Sequence, residues 1–186
     1  WAARGGGGPS PRQAELWRMN MDGSGQTQIT TNAVNESAPS WFPGRGQIAY
    51  RGYESVSGHF FIWKMNADST GVVQLTFPST VVYDDDDPQV SPDGAKIAFS
   101  RIIGSNSDVW VMNADGTGQV KLTTSPQNYF DPRWSADGTK IIYTGYPGSN
   151  IDVWSMNASD GTGKTRWTNN ANVDGAAVVH MEDLQE

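Results

Sequence analysis

"DVWVMNADGTGQVKLT", residues 108–123, decides the fold because the chain writes this phrase four times. "ELWRMNMDGSGQTQIT" stands at 15–30, "FIWKMNADSTGVVQLT" at 61–76 and "DVWSMNASDGTGKTRWT" at 152–168. Trp17, Trp63, Trp110 and Trp154 lie 46, 47 and 44 residues apart. Each is followed two positions later by Met (Met19, Met65, Met112, Met156) and then by Asn. Alternation of apolar residues over six positions is the period of a strand. A turn rich in Asp and Gly follows, which supplies the positive φ of a hairpin, and a second strand ends in "QIT", "QLT", "KLT" or "RWT".

Outward from these hairpins lies a second repeated pair. "PSWFPGRGQIAYRG" (39–52), "PQVSPDGAKIAFSR" (88–101) and "PRWSADGTKIIYTG" (132–145) each read as a short strand, a Gly-containing turn and an apolar strand. Four antiparallel strands every 44–47 residues form the module of a propeller blade. No dozen-residue stretch carries helical periodicity. The expected fold is all-β, a small β-propeller of four blades of four antiparallel strands, in one domain over 1–186. With the strands of a blade named a to d from the inside outward, complete blades run over 38–76, 87–123 and 131–168. The chain opens in strand b with "WAAR" (1–4), followed by strands c and d at 15–30. "NVDGAAVVHM" (172–181) occupies the register of a strand a. The first blade is therefore expected to be split, residues 1–30 joined by 172–186, which would close the ring and hide its sheet edges.

Composition narrows the function classes. Twenty acidic against 13 basic residues give a formal net charge of −7, which argues against nucleic acid and anionic lipid as partners. The absence of Cys excludes disulfides, thiolate metal sites and thiol catalysis. No run of about 18 apolar residues is present, so no membrane-spanning helix is expected. The start at Trp1 rather than Met points to a removed leader, or to a longer parent chain. The eight Trp, six Tyr and six Phe suit short aromatic strands, and the Trp and Met of the phrase (Trp17, Trp63, Trp110, Trp154, Met19, Met65, Met112, Met156) are expected to fill the core between blades.

"DPQVSPDGAKIAFSR…SDVWVMNADGTGQVKLT" (87–123) resembles the TolB-type, WD40-like propeller repeat, with its "SPDG-x-KIAF" segment followed by "D-V-W-x-MN-x-DG…LT". The resemblance covers nearly the whole chain. It implies a secreted or periplasmic bacterial setting and a protein-binding role. The TolB propeller has six blades and a separate N-terminal domain, whereas four blades and no such domain are expected from residues 1–186.

"YDDDDP" (83–88) is the sharpest chemical feature. In repeat register it matches "NESAP" (35–39), "NYFDP" (128–132) and "NVDG" (172–175), which makes Asp87, Asp131 and Asp174 equivalent, with Ala38 in their place and Glu36 nearby in the remaining blade. These residues are expected to end the connection into the innermost strand and to line one mouth of the channel. Converging carboxylates repel unless a cation or water offsets them, and hard oxygen ligands suit Ca²⁺. The candidate ligands are Asp84, Asp85, Asp86, Asp87, Asp131, Asp174 and Glu36. The competing readings are an Asp-Pro strand start beside a solvated acidic loop, and a basic protein partner held at the mouth. The one cofactor these readings leave open is Ca²⁺.

Other motifs carry less. "GTGKT" (161–165) lacks the first Gly and the following helix of a phosphate loop, and "NADGTG" (113–118) lacks the Glu that closes a calcium loop. His59 and His180 stand in different repeats, so no nucleophile–His–acid set is expected and the protein is read as a non-enzyme. The b–c loops, "GGGGPSP", "YESVSG", "IIGSNS" and "YPGSN", differ most between copies and emerge on one face. The expected function is a protein-binding or structural scaffold in the periplasm or outside the cell. Two alternatives are a self-assembling subunit, filament or merged ring, formed by exchange of the C-terminal strand, and the gating propeller of a larger hydrolase.

Overall fold

The computed structural model describes residues 2–3, 14–32, 34–124, 127–146 and 150–169, and the secondary structure of these is strand and turn throughout. The first sheet has three strands, β1 (Ala2–Ala3), β2 (Glu15–Arg18) and β3 (Thr27–Gln28). The second is β4 (Glu36–Trp41), β5 (Gln47–Glu54), β6 (His59–Asn66) and β7 (Val73–Gln74). The third is β8 (Asp84–Val90), β9 (Lys96–Ile103), β10 (Asn106–Asn113) and β11 (Val120–Lys121). The fourth is β12 (Tyr129–Trp134), β13 (Lys140–Gly145), β14 (Asp152–Asn157) and β15 (Thr165–Arg166). Every pairing is antiparallel between neighbours in sequence, the meander of a blade. Ala2 faces Leu16 and Ala3 faces Glu15, so the opening residues do form a strand b. The strand a expected at 172–181 lies outside the described residues.

The repeated phrase owes its constancy to side chains that close the outer hairpin. The last Thr of each copy (Thr30, Thr76, Thr123, Thr168) accepts a bond from the N–H of Leu16, Ile62, Val109 or Val153 at 2.9–3.0 Å. This hydroxyl extends the pairing beyond an outer strand only two residues long. Asn20, Asn66, Asn113 and Asn157 donate across the turn to a Ser or Thr hydroxyl at 2.8–3.0 Å. The turn Asp, such as Asp115, accepts both the N–H and the hydroxyl of Thr117, as Asx turns do.

Packing occurs between sheets. Met65 joins Leu16 and Ile29, Met112 joins Ile62 and Leu75, and Met156 joins Val109 and Leu122, each Met resting on the sheet before it. These three methionines are buried as expected. Trp63, Trp110 and Trp154 are half-buried at the margins of the same clusters, and Trp17 is also half-buried. Met19 departs from the expected core placement, being 42% exposed. The surface it would rest on, by the rule of the other three, is the fourth sheet at Trp167, equivalent to buried Leu122. Trp167 is itself 51% exposed. Among the described residues, these matching faces of the first and fourth sheets are uncovered.

Candidate functional site

The innermost strands begin earlier than the expected starts at 38, 87 and 131. They start at Glu36, Asp84 and Tyr129 because pairing with strand b continues through a bulge. Register shifts fall between Ser37 and Ser40, between Asp86 and Gln89, and between Phe130 and Arg133. At each bulge the residue before Pro is left-handed: Ala38 at φ 49°, Asp87 at 49° and Asp131 at 54°. The equivalence read from the sequence is thus a shared backbone state, and the acidic run belongs to the strand rather than to its lead-in.

The bulge and the alternation of the strand send the four carboxylates to separate partners. Asp84 accepts the N–H of Phe60 at 2.8 Å and lies 3.2 Å from His59 Nδ1. Asn35 and Asn128 do the same for Ala14 and Ser107, at 3.0 and 2.8 Å, so this position ties each innermost strand to the preceding blade. Asp85 is buried and takes Arg101 in a two-pronged pair, at 2.7 and 2.9 Å. Burial pushes the Asp85 carboxyl up and Arg101 opposes that push. The guanidinium of Arg101 lies 4.0 Å from the ring centre of Tyr83 and 4.8 Å from that of Trp110, so this pair is a closed structural unit. Glu36, its equivalent, is buried against Tyr50, accepts Asn32 Nδ2 at 2.9 Å, and is pushed up by burial.

Asp86 lies 3.3 Å from Arg51 Nε. Asp87 feels Asp131 of the next sheet, and its carboxyl is pushed up to about 7 by burial first, then by Asp86 and Asp131. Of the seven candidate ligands, the structure brings Asp86, Asp87 and Asp131 into mutual influence and places Asp84, Asp85 and Glu36 elsewhere. Asp174 lies outside the described residues. Among the described residues, no three His, Asp or Glu side chains are grouped to hold a metal ion.

Among the described residues, two cavities lie along the junction of the third and fourth sheets. One, of about 660 Å³, lies at the turn end, bordered by Asp93, Lys96, Trp134 and Asp137. Its carboxylates are spent locally: Asp93 on Ser91 and Asp137 on Ser135 and Thr139. The other, of about 340 Å³, lies at the acidic end beside Asp86, Asp87, Ser100, Phe130 and Tyr146. The sequence reading missed Ser100, Phe130 and Tyr146. The signal that finds them is a comparison of strand b between copies, where Ser100 stands in the place of Arg51.

Blades of four antiparallel strands, packed sheet on sheet through repeated methionines, define a β-propeller. The chain belongs to the TolB beta propeller domain family, whose model matches residues 9–183. No curated protein matches it. Among solved structures it is similar to a TolB-type protein of Agrobacterium tumefaciens, at 22% identity and TM-score 0.70, covering 83% of this chain and 56% of that one. TolB of Acinetobacter baumannii matches at 20% identity and TM-score 0.67, covering 83% of this chain and 37% of that one. Oligogalacturonate lyase in complex with manganese matches at 12% identity and TM-score 0.60, covering 82% and 47%. The chain thus spans about half or less of the length of these proteins.

Proposed function

We propose that this chain is a non-enzymatic propeller module that binds another protein, in the periplasm or outside the cell. The observation that carries the reading is a constant frame bearing variable loops at one end. The b–c connections run from an extended turn at 55–58 to the two residues Gly104 and Ser105, whereas the outer hairpins repeat bond for bond. Recognition concentrates on such loops. Membership of the TolB family supports both the binding role and the setting outside the cytoplasm. The lyase likeness is one of fold, and at 12% identity it carries no catalytic residue across.

A photo-crosslinking residue placed at Val56, 93% exposed in the loop of the second blade, tests this reading against one at Val72, 51% exposed near the opposite end. Envelope proteins should crosslink through position 56 and be lost when 53–58 is replaced by a Gly-Ser loop. Crosslinks confined to position 72 would sink the reading.

A second reading, self-assembly as a filament or merged ring by exchange of the C-terminal strand, is supported by the bare faces at Met19 and Trp167. Gly23 adds to it: an added Cβ there would meet nothing within 4 Å, whereas at the equivalent Gly116 and Gly161 it would strike the preceding blade. The gating propeller of a larger hydrolase is the third reading, and no described residue favours it.

A further inference from the structure

The junction between the second and third sheets is filled by an arginine, and the equivalent junction between the third and fourth is not. Arg51 reaches across to Asp86, and its guanidinium lies 3.5 Å from the ring centre of Phe60. Gln47 faces Asn66 as Lys96 faces Asn113, which puts Ser100 at the repeat position of Arg51. Where the arginine side chain would lie there is the cavity of about 340 Å³, bordered by Asp86, Asp87, Ser100, Asn128, Phe130 and Tyr146.

Three features of that cavity point to the same occupant. Ser100 is 1% exposed and its hydroxyl has no hydrogen-bond partner. Leaving such a group unpaired away from water is unfavourable, so a ligand that bonds it is favoured. The rings of Phe130 and Tyr146 stand 5.4 Å apart at 43°, and Tyr146 is 36% exposed, which leaves the space reachable from solvent. Asp87 supplies a carboxylate at the wall. Carboxylate plus aromatic face is the arrangement in which this chain already holds Arg51 and Arg101.

We propose that the cavity receives the guanidinium of an arginine presented by a partner protein, with Asp87 and Ser100 accepting its N–H groups beside Phe130 and Tyr146. The partner rests on the protein-binding reading above, whereas the chemistry of the pocket stands on its own. Lysine fits less well, since an ammonium is a point charge without a plane to stack.

The test is a titration of the isotope-labelled full chain with N-acetyl-arginine amide, followed by amide NMR shifts. Millimolar affinity is the realistic scale for so small a probe, so the titration runs to about 50 mM. N-acetyl-citrulline amide, the uncharged isostere, is the control. Shifts should cluster at Asp86, Ser100, Phe130 and Tyr146, and citrulline should bind at least about tenfold more weakly, the loss of a charge-assisted pair. Ser100→Arg, which copies the second sheet, should abolish binding. Asp87→Asn should weaken it about tenfold. Retained amide spectra elsewhere certify both folds. Equal binding of citrulline, shifts at other sites, or the same shifts and displacement by calcium chloride would each overturn the assignment. So would a blank titration, which leaves the scaffold reading to be decided by the crosslinks at position 56.

Discussion

Asp87 is held where neither its backbone nor its charge is at ease. A left-handed φ of 49° suits Asn and Asp better than most residues, but burial and two neighbouring carboxylates penalise the ionised form. The folded-state value of about 7 exceeds the ordinary carboxylate value of about 3.9, so between these the native state binds more protons than the unfolded one. Stability therefore falls as pH rises through that window, and below it the penalty vanishes because both states are protonated. Asp137 has the opposite shift, down to about 2 through Ser135 and Thr139, and acts only at more acid pH. Asp87→Asn keeps the tolerance for the backbone and removes the charge. Its melting temperature should exceed that of the parent at pH 8, by less at pH 5, and approach it only below about pH 4, and an equal gain at pH 8 and pH 5 would show that Asp87 carries no proton. The equivalence of Asp87 and Asp131 was legible in the repeat register. The separate fates of Asp84, Asp85 and Asp86 were not, because they depend on His59, Arg101 and Arg51 arriving from other strands.

At the scale of the element, the outer hairpin does more than reverse the chain. Gly116, at φ 89°, brings its Cα so close to the preceding blade that an added Cβ would lie 2.5 Å from the Leu75 carbonyl oxygen. Gly161 meets Leu122 in the same way, and Ser69 in the second blade instead donates its hydroxyl to the Ile29 carbonyl. Each turn is thus seated on its neighbour. Gly116→Ala combines backbone strain with a collision and should cost roughly 2–3 kcal/mol. Gly138→Ala, also left-handed at φ 72° but with Pro92 at 3.7 Å, should cost only the conformational part, about 1 kcal/mol. Urea melts of the two variants compare them directly, and a Gly116 variant no worse than the Gly138 one would contradict the seating. The turns themselves were plain from "ADGTG", but a sequence cannot say which turn Gly is short of room and which only of rotational freedom.

For the whole molecule, the decisive contrast is between equivalent methionines. Met112 is wholly buried, and Met112→Ala should destabilise by about 2–5 kcal/mol. Met19 holds the same repeat position with 42% exposure, and in an isolated monomer with a bare first sheet its truncation should cost less than about 1 kcal/mol. Denaturant melts with light scattering on the same samples read both the cost and the mass. A monomeric mass with a Met19→Ala loss as large as that of Met112→Ala would show that the chain covers this face itself. A mass of two or more chains that falls on Met19→Ala would show that another copy does.

What the sequence by itself determined is the repeat, its strands and its turns. Strand alternation, Asx chemistry and glycine at positive φ all act within a dozen residues, so a single copy suffices to read them. What only the tertiary structure decided is how one copy meets the next. One change between equivalent positions, Arg51 in one blade and Ser100 in the next, turns a filled junction into a cavity. Whether a methionine is core or surface likewise depends on the presence of a sheet about 45 residues away in the chain. Burial and ion pairing are properties of juxtaposed copies, and no single copy contains its neighbour.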